Sequence, residues 1–540
     1  MPNVGQFLIE RLSGAGAKHA FGYPGDYVLS FYDQLQKSDI QLITTTCERN
    51  AGIAADAYAR INGIGVAVVT YCVGGFNLVD AIGCAYAEKS PVVVVSGAPG
   101  IKERDDELLP HHLVREFECQ HEIFEKITCA NTVLRNPATA AYEIDRVLEA
   151  CKHYKQPIYI EIPRDIVGKS ISYDAWEQGT PPSQVSDEET LLEALQESVE
   201  WINKAERPVI LAGVEVARFN LGKELIKFAE RINVPVATTI LGKSVVNERH
   251  SLSLGVFCGP LANDRCAKLL NESDCIIMLG VEMTDVSVGF LPRKVIRRNA
   301  IVSACGETSI RSHSFRKISF VDFFEKLTKA PYARKQVQEI GEKENRAYVS
   351  EPSNKLTAKR LFEKIDSIIT DNMAIVADVG DSMFGSSSMT VNRNHFLSPA
   401  FYNSMGFAIP GSLGVQCANN NLRCLVIVGD GSFQQTSNEL STIVKKGFNP
   451  IVIVVNNGGF LTERLFKDGP YNDIQNWNYH KMCDLIGGGE GEIVRTEGEL
   501  DIAMKHALAS KQFFIINAVV DKNDASPALK KVIGGLVSKM

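Results

Sequence analysis

Arg423-Cys424-Leu425-Val426-Ile427-Val428-Gly429-Asp430-Gly431-Ser432 and, further on, Pro450-Ile451-Val452-Ile453-Val454-Val455-Asn456-Asn457-Gly458-Gly459 decide the fold. Cys424–Val428 is an unbroken apolar run bounded by glycine, the pattern of a parallel strand buried on both faces. Gly429 and Gly431 let the backbone turn tightly and come close to another group. Phe433 to Lys446 carries a helical period, with Phe433, Leu440, Ile443 and Val444 as its apolar positions. Pro450–Val455 is a second buried strand, ending at Asn456-Asn457. Strand, turn, helix and strand put both polar turns at strand C-terminal ends, the edge of an open parallel sheet where ligands bind. A helix opening near Ser432 presents N–H groups to an anion such as a diphosphate. Asp430, Asn457 and a carbonyl near Gly459 are hard oxygen donors that suit Mg²⁺. A Gly-Asp-Gly turn alone is commonplace; the second turn, 27 positions after Asp430, sets this one apart.

The rest of the chain reads the same way. At 540 residues it should form two to four domains with ample core. Short apolar runs alternate with helical patterns (Val66–Val69, Pro91–Val95, Pro157–Ile160, Pro208–Ala212, Cys275–Gly280), which predicts doubly wound α/β domains. Gly179-Thr-Pro-Pro-Ser-Gln within 172–188, and the charged stretch 331–354, read as linkers. They leave an N-terminal domain at 1–171, a middle domain at 189–330 and a C-terminal domain at 355–540. A net charge of −7 with no basic cluster argues against a nucleic-acid surface. No apolar run approaches bilayer length, and Met1–Gly5 does not open a secretory leader, so no membrane partner is expected. Thirteen scattered cysteines without a C-x-x-C pair suggest reduced thiols in a cytoplasmic protein.

Gly429-Asp430-Gly431, 24 intervening residues and Asn456-Asn457 resemble the cofactor motif of thiamine-diphosphate-dependent enzymes. Glu48, at a strand end before the small-residue helix Ala51–Arg60, reads locally as a capping or macrodipole carboxylate. It also matches the family glutamate that hydrogen-bonds the cofactor's aminopyrimidine. Asp26, in Phe21-Gly-Tyr-Pro-Gly-Asp-Tyr27, is by itself a turn aspartate, and His111-His112 by itself a polar loop. Together they resemble the decarboxylase branch, the pyruvate and indolepyruvate or phenylpyruvate decarboxylases, as do Val69–Gly74, Ala85–Glu88 and Ser96–Pro99. Because histidine titrates near neutrality, such a cluster suits proton delivery.

The resemblance implies three α/β domains with parallel sheets, namely pyrimidine-binding, middle and diphosphate-binding, the first and third related to each other. It implies thiamine diphosphate held by Glu48, Asp381, Ser382, Asn403, Met405, Gly429, Asp430, Gly431, Ser432, Asn457 and Gly459. Mg²⁺ is expected on Asp430, Asn457 and Gly459. Asn403 stands where decarboxylases often have glycine, and Met405, otherwise a core methionine, would prop the cofactor into its bent shape. Glu48, Asp26, His111, His112 and Glu463 are the expected catalytic groups, although Glu463 alone would read as a solvent-facing helix glutamate. The family implies a homo-oligomer, at least a dimer, with its sites at the subunit interface. The middle domain shows no G-x-G-x-x-G after a strand, so flavin and nicotinamide are not indicated. The expected reaction is decarboxylation of a 2-keto acid to an aldehyde; the alternatives are a carboligase of the acetolactate-synthase type and a catalytically silent cofactor-binding regulator. Met383, Thr462, Phe466, Val532 and Leu536 are the expected substrate pocket, and the first two suggest room for an aromatic or long-chain acid rather than pyruvate.

Overall fold

Continuous valine and isoleucine runs make strands that demand burial on both faces, and here they build three open sheets. The computed structural model describes residues 1–104, 109–171, 186–259, 262–287, 299–336 and 348–537, with side chains as far as 534. The first sheet contains β1 (His19–Gly22), β2 (Gln41–Thr44), β3 (Gly65–Val69), β4 (Val92–Ala98), β5 (Ala130–Val133) and β6 (Ile158–Pro163). The middle sheet contains β7 (Pro208–Ala212), β8 (Val236–Thr238), β9 (Ser253–Val256), β10 (Cys275–Leu279), β11 (Ala300–Ala304), β12 (Glu307–Ile310) and β13 (His313–Phe315). The third contains β14 (Met373–Ala377), β15 (Phe396–Leu397), β16 (Arg423–Gly429), β17 (Ile451–Asn456), β18 (Glu490–Val494) and β19 (Phe514–Val519). Of the expected linkers, residues 172–185 and 337–347 lie outside the described residues.

From edge to edge the first sheet runs β2-β1-β3-β4-β6-β5 and the third β15-β14-β16-β17-β19-β18, the same order strand for strand. Every pairing in both is parallel. The middle sheet departs from the wholly parallel expectation, because β11, β12 and β13 pair antiparallel at one edge. The cause is local. Two-residue turns containing Gly306 (φ 88°) and Arg311 (φ 54°) reverse the chain at once, whereas a parallel return needs a crossover of a dozen or more residues. Among the described residues no helix is long and apolar enough to cross a membrane.

The chain parts into two compact units. The first comprises Met1–Ser183, Ile409–Leu422 and Thr436–Phe448; the second comprises Gln184–Ala408, Arg423–Gln435 and Asn449–Met540. In the first unit the helix Glu48–Asn62 is buried along most of its length. It meets the 409–422 segment at Gly414, where a Cβ would come within 2.2 Å of the Ala54 carbonyl oxygen. Only glycine permits that approach. Near the same helix's end Arg60 is buried between two carboxylates, 2.7 Å from Asp56 and 3.0 Å from Glu88. Burial opposes its charge, but Asp56 and Glu88 together hold the guanidinium proton more firmly than usual.

Replacing Arg60 with methionine preserves volume but leaves two buried carboxylates facing each other. We expect a loss of about 3–5 kcal/mol, read as a lower denaturant midpoint; an unchanged midpoint would show the cluster to be dispensable.

Candidate active site

In the second unit the C-terminal ends of β16 and β17 are tied together by one side chain. Asp430, 1% exposed, opens the helix Asp430–Thr436. Its Oδ1 accepts the Gly431 N–H (2.8 Å), and its Oδ2 accepts those of Asn457 (3.1 Å), Gly458 (2.6 Å) and Gly459 (3.2 Å). Burial pushes its carboxyl up to about 6, more than the four N–H donors pull it down. Asn457 is buried too, and its Oδ1 has no donor. At Gly459 φ is 147° and a Cβ would fall 1.9 Å from the Asn472 carbonyl, so no other residue fits. Arg464, buried, secures the turn by donating to the Asn457 and Gly458 carbonyls and to Asp473. A buried carboxylate, an unsatisfied amide oxygen and a glycine turn that admits close approach fit a hard divalent cation carrying a diphosphate.

The helix differs from its expected form. It starts at Asp430 rather than near Ser432, and the predicted single helix to Lys446 is broken by a 3₁₀ turn at Ser437–Glu439. Thr436, at φ −136° and ψ 8°, leaves the helical region and causes the break.

A cavity of about 500 Å³ opens at this edge. Gly429, Gly431, Ser432, Asn457 and Gly459 line it, as do Asp381, Ser382, Asn403 and Met405. Glu463, Thr462, Phe466 and Val532 line it as well, so most of the expected second-unit residues meet there. Asp381 has another engagement: its Oδ2 accepts the Ser526 N–H at 2.9 Å, and its Oδ1 accepts the Ser526 hydroxyl. It thereby anchors the start of the helix Pro527–Val537, which supplies Val532. Asn403 has φ 58°, a left-handed conformation that asparagine tolerates better than most non-glycine residues, so its departure from glycine costs little. Met383 is a correction. It is fully buried among Ile240, Val256, Cys258 and Ala400, a layer behind Val286 and Phe384, which do line the cavity. The side chain of Leu536 lies outside the described residues.

Sequence reasoning missed three residues of this edge. Asp378, fully buried, accepts the N–H groups of Gly406 (3.1 Å) and Ala408 (2.9 Å) and fixes the segment that carries Met405; burial raises its carboxyl. Its position just beyond the buried strand β14 was the available signal. Asp285 and Val286, from the loop after β10, add a wall from the middle domain.

In the first unit Glu48 is the first residue of its helix. Of the local expectation the macrodipole part holds, since Glu48 is the acidic residue of the first turn, while no side chain caps this helix; the Glu48 Oε2 accepts from Asn77 Nδ2 at 2.8 Å. Gly74 lies against it, since a Cβ there would be 3.4 Å from Oε1. Buried Glu439 holds the turn before Glu48, accepting the Thr46 N–H (3.1 Å), the Thr46 hydroxyl (2.6 Å) and the Asn50 amide (2.8 Å). Nothing in the pattern around Glu439 announced that partnership.

Asp26, His111 and His112 converge. His111 Nε2 is 2.7 Å from Asp26 Oδ2, and His112 Nε2 is 3.8 Å from Oδ1. Consecutive residues in extended chain point apart, but His112 has φ 69°, which turns both rings to one side with centroids 4.7 Å apart. Tyr27 stacks on His111.

Fold and site together define an α/β protein with a buried acid, a glycine turn and a cavity at the edge of one sheet and a carboxylate–imidazole cluster at the edge of another. The comparisons make the class specific. Models of the thiamine pyrophosphate enzyme match in series, the N-terminal TPP binding domain at residues 2–123, the central domain at 195–314 and the C-terminal TPP binding domain at 378–518. The chain belongs to the thiamine pyrophosphate enzyme family. It is 33% identical to an indole-3-pyruvate decarboxylase of Azospirillum brasilense, with 98% of each chain covered. It is 30% identical to a probable pyruvate decarboxylase of Schizosaccharomyces pombe, covering 97% of this chain and 94% of that one. Identity is also 30% to pyruvate decarboxylase 3 of Arabidopsis thaliana, over 97% and 92%.

The raised Asp430 carboxyl sets a pH dependence. A cation needs the ionised form, so affinity of the apoprotein for Mg²⁺ and thiamine diphosphate should fall as pH drops below about 6, approaching tenfold per unit. For the apo fold the sign is the reverse of a salt-bridged carboxylate: the folded state binds this proton more tightly, so its stabilising contribution is lost as pH rises through about 6. Asp430→Asn should abolish the acid dependence of binding and weaken binding by more than about 100-fold, beyond what loss of a supporting residue costs. Calorimetric titration between pH 5 and 8 checks both.

Proposed function

We propose that this protein decarboxylates a 2-keto acid non-oxidatively to an aldehyde and CO₂, using thiamine diphosphate and Mg²⁺. The convergence of Asp26, His111 and His112 carries this reading, because release of an aldehyde requires a proton to be delivered where CO₂ has left. The relatives' names, indole-3-pyruvate and pyruvate decarboxylase, support it. Thiamine diphosphate, when bound, supplies the nucleophilic carbon and the electron sink.

The chain's own residues do the rest. Asp430, Asn457 and the Gly459 carbonyl hold Mg²⁺, and Ser432 and the Gly-Asp-Gly turn hold the diphosphate. Asn403 and Met405 shape the seat of the cofactor, and Asp381 and Ser382 close its far side. Glu48 shares a proton with the aminopyrimidine, steadied by Asn77. Asp26, His111 and His112 relay the proton to the substrate carbon. Glu463, on the cavity wall, disfavours the carboxylate ground state and assists release. The working unit is a homo-oligomer of at least two chains, in which the Glu48 of one copy faces the Asp430 turn of another; a symmetric dimer then has two equivalent sites. Buried thiols such as Cys84, Cys151 and Cys266 suit a reducing, cytoplasmic setting.

The substrate is an aromatic or long-chain 2-keto acid. Loss of Met383 from the pocket removes one argument for this, but the apolar wall supplies another: Val286, Phe384, Leu461, Val532 and Ile533 line the cavity, and such walls reward a large apolar side chain.

On a panel of 2-keto acids, kcat/KM for phenylpyruvate and indolepyruvate should exceed that for pyruvate by about tenfold or more; a preference for pyruvate overturns the substrate assignment. Acyloin as the main product in place of free aldehyde would point to a carboligase. Glu48→Gln should lower kcat by about 10²–10⁴ while the diphosphate and Mg²⁺ still bind, and full turnover in that variant would refute the role given to Glu48.

A further inference from the structure

The Asp26, His111 and His112 cluster has a second capability. One nitrogen or oxygen from each side chain lies within 4.8 Å of the others. Two imidazoles and one carboxylate are the donor set of borderline divalent cations such as Zn²⁺, Co²⁺ or Ni²⁺, and a poor one for Mg²⁺. Donors around a tetrahedral ion of this size are about 3.3 Å apart, from metal–ligand distances of about 2.0–2.1 Å. The observed separations, 2.7 Å from His111 and 3.8 Å from His112 to the Asp26 carboxylate, straddle that value. Small side-chain rotations would equalise them.

The surroundings of His111 point the same way. The Tyr27 hydroxyl donates to the His111 carbonyl oxygen at 3.2 Å and lies 3.3 Å from His111 Nδ1. Nδ1 thus faces Tyr27, and Nε2 faces the Asp26 carboxylate at 2.7 Å. The stacked Tyr27 ring also fixes the imidazole plane, as the supporting partners of metal-bound histidines do. In the single chain the His111 side chain is 58% and that of His112 31% exposed.

We infer that Asp26, His111 and His112 form a binding site for a borderline divalent cation, separate from the Asp430 site, and that occupancy displaces the shared proton and arrests turnover. The arrest rests on the relay proposed above for these side chains; the binding does not. Metal enters, the bridging proton leaves to solvent, and no redox change is involved.

Co²⁺ tests the two parts separately. It is added to protein saturated with thiamine diphosphate and excess Mg²⁺, so that the hard oxygen site is already filled. The expected result is one Co²⁺ per chain with the intense visible bands of low coordination number. His111→Ala, His112→Ala and Asp26→Asn should each weaken it tenfold or more, while Glu463→Gln, itself impaired in turnover, should bind it normally. Weak octahedral bands alone, a spectrum that survives in the double histidine variant, or thiolate charge-transfer bands from half-buried Cys47 or Cys119 would overturn the site. Zn²⁺ should inhibit decarboxylation over the concentration range in which it displaces Co²⁺, with reversal by a chelator. Normal binding without inhibition would overturn the arrest and the relay role but leave the site standing.

Discussion

The carboxylate of Asp430 gripping three successive N–H groups of the Asn457-Gly458-Gly459 turn is the interaction on which the active edge depends. Parallel strands paired through their length still leave their terminal turns free to diverge. A single buried acid that satisfies the N–H groups of the next turn removes that freedom, since each would otherwise be a buried unpaired donor. The same burial makes the carboxyl reluctant to ionise. One residue therefore sets the shape of the turn, and its ionised form is the one that the proposed divalent cation would favour.

The edge is rigid for a related reason. Asp378 and Arg464, both buried, bond backbone groups rather than each other. Charged groups fully withdrawn from water are costly unless every hydrogen-bonding position is answered. Here the loops answer all but the Arg464 Nε among that residue's donors, and so the loops lose their freedom. Gly459, with no room for a Cβ, is the complementary constraint: backbone passes where a side chain would otherwise stand.

The strands were legible because burial on both faces leaves short, unbroken runs rich in valine and isoleucine and bounded by glycine or proline, and the polar turns followed from where those runs stop. Most of the lining of the cavity was legible for the same reason, lying at strand ends. What was not legible depended on side-chain direction and on contacts distant in the chain. Met383 follows the turn at Gly380 and was expected to face the substrate, but a six-residue helix rotates it into the core. Asp381 lines the cavity, but its bond to Ser526, 145 residues away, leaves no mark in the pattern. Glu439 and Thr46 are 393 residues apart, and no periodicity records such a pair. The antiparallel hairpins of the middle sheet turned on two residues with positive φ, only one of them glycine.

The identical strand order of the first and third sheets shows how one architecture is put to two uses. In both, the turns after the parallel strands are the places where polar groups can be presented without interrupting a sheet. The third sheet places N–H groups and a buried acid in its turns, the groups proposed above to hold a diphosphate and a cation. The first places Asp26 after β1 and Glu48 after β2, and the exposed His111-His112 loop beyond β4. Exposure decides the difference in chemistry. Asp430, sealed from water, resists ionisation and holds backbone N–H groups in place; Asp26, 41% exposed, stands beside two imidazoles. A topology that positions groups equally well in both domains leaves their burial to determine what each group does.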